Sequence, residues 1–233
     1  MLIYALVFLL GTIVASFLNV VAQSLPVKQN WWSRRSCCKN CQAILTPRQL
    51  IPIFSYLWQR GRCLSCHSKI PPSYLLTEII GGVLFVIPLL LLPNWDSLAI
   101  IQAWSFFALL LTVTLTDLYY RLIPNKILLI FGTLLFFLHL NVGAAIFGFG
   151  FFYATSKLGT LLFQKATIGG GDIKLYFVIG LVLPIQPLLI SITISSTVAL
   201  SYLLIFVKQK NTQIPFAPFI AIGAVVSYLT LIH

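Results

Sequence analysis

Ile100-Ile101-Gln102-Ala103-Trp104-Ser105-Phe106-Phe107-Ala108-Leu109-Leu110-Leu111-Thr112-Val113-Thr114-Leu115-Thr116-Asp117 is an apolar run closed by an acid. A helix needs about 20 such residues to cross a bilayer. Runs of this kind recur at Leu2–Val21, Tyr74–Leu92, Leu98–Thr116, Ile127–Leu140, Gly143–Phe163, Leu175–Leu183 extending to about Pro187, Leu188–Val207 and Phe216–Ile232. The chain is 59% hydrophobic and 8% charged, with mean hydropathy +0.99. A soluble globular domain carries about three times that charge. The fold class expected is all-α, a polytopic membrane bundle of about eight transmembrane helices. The short alternating segments of a membrane β-barrel are missing. Leu2–Val21 lacks a basic start and a small-residue cleavage site, so it reads as a retained helix rather than a signal peptide.

The net charge of +11 invites a nucleic-acid partner, but the distribution of the charges opposes one. The segment 28–69 holds eight of the fifteen Lys and Arg residues and no acid. Cytoplasmic loops of membrane proteins are enriched in Lys and Arg. Placing 28–69 inside and alternating leaves Pro93–Ser97, Asn141–Gly143 and Pro184–Pro187 outside, all without Lys or Arg. Both termini then face outward. The expected partners are membrane lipid, including anionic headgroups, and not nucleic acid.

Glu78, Asp96, Asp117 and Asp172 are the only acids. Acids at the edge of hydrocarbon are costly and point to function. Asp172 stands in Ile168-Gly169-Gly170-Gly171-Asp172-Ile173-Lys174, just before another apolar run. The alternation puts Asp117 and Asp172 at one membrane depth, on the cytoplasmic side. Two carboxylates in contact share one proton, so one takes a proton from water while the other donates to a carbonyl. Glycines before Asp172 read as a flexible turn, allowing backbone that other residues resist and close approach of a partner. The plainer alternatives are an Asp117–Arg121 pair at i,i+4, an N-cap role for Asp172, and an Asp172–Lys174 pair.

Cys38-x-x-Cys41 and Cys63-x-x-Cys66 lie 21 residues apart. Paired knuckles at such spacing point to a structural zinc ion, closed by four thiolates. Cytoplasmic placement disfavours disulfides. Cys37 reads as a spare thiol, and His67 as a solvated side chain or an alternative ligand. Between the knuckles, Ile51–Trp58 is apolar, and its aromatics are expected to hold it to the bilayer or the bundle. The expected divisions are a first helix (1–27), a cysteine loop (28–73) and a helical aspartyl protease portion (74–233).

Gly169-Gly170-Gly171-Asp172-Ile173-Lys174-Leu175 resembles the GxGD motif of intramembrane aspartyl proteases, in the form found in type IV prepilin peptidases. The resemblance extends over nearly the whole chain. Ala15–Val21 with Leu25-Pro26 is similar to the family's first-helix motif. Arg35-Ser36-x-Cys38-x-x-Cys41, Ile51-Pro52, Ser55-Tyr56, Gly61-Arg62-Cys63-x-x-Cys66, Ile70, Tyr74 and Glu78 follow in order. Asp117-x-x-x-Arg121-x-Ile123-Pro124-Asn125 and Ile214-Pro215-Phe216-Ala217-Pro218-Phe219 resemble the first aspartate motif and the final motif.

The resemblance implies a bacterial inner-membrane endopeptidase that cuts the leader from type IV prepilins or pseudopilins of pilus, type II secretion or competence machines. Asp117 and Asp172 carry over as the catalytic pair, Gly169 and Gly171 as active-site backbone, and Cys38, Cys41, Cys63 and Cys66 as the tetrad. Members with the cysteine loop commonly also methylate the new N-terminus from S-adenosylmethionine. Gln23-Ser24 and Ser73 depart from the family's pattern, near the loop associated with methylation. The rival readings are a proton-coupled secondary transporter, which would carry its acids near the midplane, and a zinc-bearing membrane scaffold.

Overall fold

The computed structural model describes residues 1–27, 35–92, 96–138, 141–164, 168–206 and 214–232. The chain forms two compact units, Met1–Pro93 and Asn94–His233. Among the described residues there is no strand beyond two isolated β-bridges.

The first unit contains α1 (Leu2–Ser24), a 3-10 turn (Pro47–Leu50), α2 (Phe54–Trp58) and α3 (Ser73–Leu91). Helices in lipid gain little from burying more hydrocarbon, so close van der Waals approach has to join them. Here small residues allow it. A Cβ on Gly11 would stand 2.6 Å from the Gly81 carbonyl oxygen, and one on Gly81 would run into Ala15. Near the polar end, the Tyr74 hydroxyl donates to Gln23 Oε1 at 3.1 Å. Gln23, one of the departures noted in the sequence, thus ties α1 to α3.

The second unit holds α4 (Ser97–Tyr120), α5 (Asn125–Leu138), α6 (Val142–Phe163), α7 (Gly170–Val182), α8 (Ile185–Phe206) and α9 (Ala217–Ile232). Neighbours run α4, α5, α7, α6, α8, α9 and back to α4, closing a ring. Glycines again set the closest approaches. A Cβ on Gly180 of α7 would lie 2.6 Å from the Ala144 oxygen of α6, and one on Gly223 of α9 would lie 2.5 Å from the Ser191 oxygen of α8. The α4–α9 seam is aromatic, with Phe106 and Phe107 each 5.4 Å from the Tyr228 ring.

Among the described residues eight apolar helices are present, as expected. Of these, α1, α3, α4, α6 and α8 are long and apolar enough to cross a membrane. The chain is a multi-pass membrane protein. α7 ends at Val182, short of the expected extension to about Pro187, and two further boundaries differ from expectation. α4 runs a further turn past Asp117 to Tyr120, and α7 starts at Gly170 instead of Leu175.

Candidate active site and metal centre

Asp117 lies in the last turn of α4 and is buried, the residue being 7% exposed. The helix stops because Arg121 turns left-handed, at φ 52, with its amide on the Asp117 carbonyl. Asp117 Oδ2 accepts from the Ala217 amide at 2.9 Å. That amide opens α9, where unpaired N–H groups and the helix dipole suit an anion. Arg121 acts on Asp117 only through space, and among the described residues the two form no ion pair.

Asp172 sits in the first turn of α7, half-buried, within electrostatic reach of Asp117. It is not the N-cap; that place belongs to Gly169. Lys174 does not pair with it either, since Lys174 Nζ donates to Asn125 Oδ1 at 3.0 Å. Each of the plainer alternatives for the two acids is therefore unmet in the structure.

The glycines act by space rather than by unusual backbone. Gly169 has φ −65, open to any residue, and Gly170 and Gly171 are helical, so the expected flexible turn is absent. A Cβ on Gly171 would meet Ile123 Cβ at 2.9 Å, one on Gly169 would meet Asp172 Oδ2 at 3.2 Å, and one on Gly170 would meet nothing within 4 Å. Ile123 is buried and packs its side chain against Gly171. The small residues let the start of α7 close onto the Ile123–Pro124 segment. Reading the sequence gave no role to Ala217 or Ile123. Both lie in the family-like motifs around Asp117 and Pro215, but neither a backbone donor nor a packing partner has a chemical signature.

In the first unit, the Sγ atoms of Cys38, Cys41, Cys63 and Cys66 all lie within 4.8 Å of one another. Cys38–Cys66 and Cys41–Cys63 are 3.9 and 4.0 Å apart. Tetrahedral thiolate coordination at about 2.3 Å implies sulfur spacings of about 3.8 Å, so the cluster fits a metal ion. Two copies of one knuckle build it. Gln42 donates its amide to the Cys38 carbonyl at 3.0 Å, and His67 to the Cys63 carbonyl at 2.9 Å. Bridges Cys37–Ile44 and Arg62–Lys69 close the two knuckles.

Gln42 and His67 occupy the same left-handed position, at φ 58 and 55. His67 is thus a turn residue and stands outside the cluster. Cys37 is outside it as well, with its Sγ donating to Gln42 Oε1 at 3.4 Å. The Ser68 hydroxyl and amide pull the Cys66 thiol down to about 6. The amides of Cys41 and Asn40 lower Cys38. At Cys41 the Ala43 amide also favours thiolate, but its hydrogen bonds to Cys66 and the other sulfurs, with desolvation, push it up to about 11. Amide and hydroxyl donors of this kind stabilise sulfur anions, the form a metal binds.

In the stretch Ile51–Trp58, Phe54 and Trp58 do not pack on the helices, which leaves them free to meet the bilayer as the sequence allowed. Phe54 and Trp58 are 60% and 79% exposed. The anchor within the unit is Glu78 of α3, whose Oε2 accepts from the Ile53 amide at 2.7 Å. Ile53 has φ 63 and ψ −56, and the Phe54 amide reaches the Pro52 carbonyl at 2.7 Å. This is a tight γ-turn of the sterically costly hand, on a β-branched residue.

Residues 9–92 match the bacterial peptidase A24 N-terminal domain, and residues 104–204 match the type IV leader peptidase family. The prepilin leader peptidase/N-methyltransferase of Bacillus subtilis (strain 168) is 33% identical, covering 97% of this chain and 93% of its own. Its namesake from Aeromonas hydrophila is 31% identical over 97% of this chain and 90% of its own. That of Neisseria gonorrhoeae is 28% identical over 92% and 86%. No solved structure matches the chain. Two family matches in tandem, and relatives aligned nearly end to end, show that the chain belongs to the type IV leader peptidase family.

Proposed function

We propose that the chain is a membrane aspartic endopeptidase that removes the leader of type IV prepilins or pseudopilins at the cytoplasmic face of the bacterial inner membrane. The observation that carries this reading is the approach of Asp117 and Asp172 at one end of the second unit, with Asp117 held by the Ala217 amide. Both acids stand at helix ends, which favours a protease over a carrier with midplane acids. The side of the membrane rests on the positive charge of the loops.

One carboxylate, ionised, takes a proton from a water that attacks the scissile carbonyl. The other, protonated, donates to the carbonyl oxygen. The tetrahedral intermediate then collapses, the C–N bond breaks, and the leaving amine takes a proton from the pair. Gly169 and Gly171 keep the start of α7 clear of side chains beside that pair.

The tetrad of Cys38, Cys41, Cys63 and Cys66 would hold one zinc ion, which ties the two knuckles together and leaves no open position for substrate. Functionally the chain reads as a first helix (1–27), a metal-holding loop (28–73) and the helices that carry the acids (74–233). The relatives' names include an N-methyltransferase activity, which would use S-adenosylmethionine. The cavity beside the tetrad offers that donor cations for its carboxylate but no acid for its sulfonium. Its lining holds Arg60, Arg62 and Lys69 and no acid, whereas the sulfonium is a cation.

The test is to incubate purified, reconstituted protein with a prepilin precursor and weigh the product's N-terminus. Cleavage at the leader junction supports the reading, and an added methyl group supports the second activity. An intact precursor would overturn the peptidase assignment.

A further inference from the structure

Beside the tetrad, the first unit has a concavity of about 430 Å³ walled by Tyr56, Arg60, Arg62, Lys69 and Pro72. We propose that it binds the phosphate of an anionic phospholipid from the chain's own bilayer.

Its charge is the first reason. Arg60, Arg62 and Lys69 are exposed, and no acid occurs between residues 35 and 72 to neutralise them. Glu78, the one acid in the first unit, is turned to the Ile53 amide. Three cations in one concavity favour an anion, and guanidinium groups suit phosphate oxygens.

The second reason is rigidity. Arg62 and Lys69 are bridge partners across the second knuckle, so the cysteine cluster fixes their spacing. Arg60 and Gly61 are both left-handed, at φ 49 and 65, and end α2 with the Gly61 amide on the Tyr56 carbonyl at 2.9 Å. The Ile70 amide closes back onto the Gly61 carbonyl at 2.8 Å. The cations thus project from a braced hairpin.

Position selects a lipid over a soluble anion. Pro72 is the N-cap of α3, a helix long and apolar enough to cross the membrane. The concavity therefore lies where that helix leaves the hydrocarbon, at headgroup depth. Phe54, Leu57 and Trp58, on the helix that supplies Tyr56, are 60%, 60% and 79% exposed. Apolar and aromatic side chains beside cations are how a segment lies in a membrane interface.

The full chain, purified in detergent with its metal, would be offered phosphatidylglycerol or phosphatidylcholine and read by native mass spectrometry. The wild type should retain one phosphatidylglycerol in preference to phosphatidylcholine. The triple variant R60Q/R62Q/K69Q should lose about a hundredfold in that affinity, from three interfacial cations at about a factor of five each. K39Q, outside the concavity, should bind as the wild type does. If the triple variant loses its metal, R60Q decides alone, since Arg60 belongs to neither bridge; it should lose about fivefold.

Equal retention of the two lipids overturns the proposal, as does a variant that binds unchanged. Displacement of the lipid by equimolar glycerol phosphate would make this a soluble-anion site instead, and displacement by S-adenosylmethionine would make it a methyl-donor site. Either result overturns it too.

Discussion

Asp117 and Asp172 cannot substitute for each other, because the proposed chemistry needs an ionised and a protonated carboxyl together. Asp117→Asn and Asp172→Asn should each reduce leader cleavage by at least about a thousandfold, as loss of a group from a catalytic pair does elsewhere. Asp96→Asn should not matter. Asp96 caps α4 by accepting from the Leu98 amide, and asparagine caps equally well. Timed cleavage of a prepilin by the three variants tests this, and a working Asp172→Asn enzyme would remove Asp172 from the mechanism. The glycines should separate in the order of their space. Gly171→Ala must push Ile123 aside and should cost about 1–3 kcal/mol along with activity. Gly169→Ala nudges the Asp172 carboxyl and should cut turnover while sparing stability, and Gly170→Ala should be harmless. Equal tolerance in melting and cleavage assays would leave the close approach without consequence. The acids were legible in the sequence because charge is rare in hydrocarbon. The donor to Asp117 was not, since the Ala217 amide lies 100 residues away and any residue but proline supplies one.

The knuckles are the elements whose fold was most visible, because two short spacings encode both a turn and its ligands. Their ion should set the structure of a segment too small for its own core. Elemental analysis should find one zinc per chain under reducing conditions. Cys63→Ser with Cys66→Ser should abolish it and open the loop to protease, while Cys37→Ser should leave it bound. Zinc that survives the double change would give the tetrad another role. The γ-turn at Ile53 was invisible by contrast, since nothing in isoleucine announces a positive φ. Glu78 pairs the amide that this turn presents to it. Glu78→Ala should strand that amide at a cost of about 1–3 kcal/mol and relax the turn. Hydrogen exchange at Ile53 and Phe54 should then quicken by at least about tenfold, and unchanged exchange would mean that the turn stands without its acceptor. The start of α7 was misplaced for a related reason: three glycines look like a loop until the packing that requires them is seen.

Across the whole molecule, hydropathy exposed the helices but not their neighbours, because apolar faces in lipid carry little record of which helix they touch. The glycine seams carry that record through close approach. Gly180→Ala would force α7 from α6, and Asp172 rides on α7. Cleavage and the melting temperature in detergent should fall together, while zinc content stays at one, since the tetrad belongs to the other unit. Loss of zinc in that variant would overturn this expectation. The ring also has an order of its own: α7 sits between α5 and α6, although the chain makes α6 first. A ribosome feeding this chain into the membrane therefore delivers α5 and α6 before the helix that must come between them. Asp117 emerges with neither its second carboxyl nor the Ala217 amide, which comes at the start of the last described helix. On the proposed chemistry, a chain made only as far as α6 is thus inert, and cleavage has to wait until α7 and α9 have joined the ring.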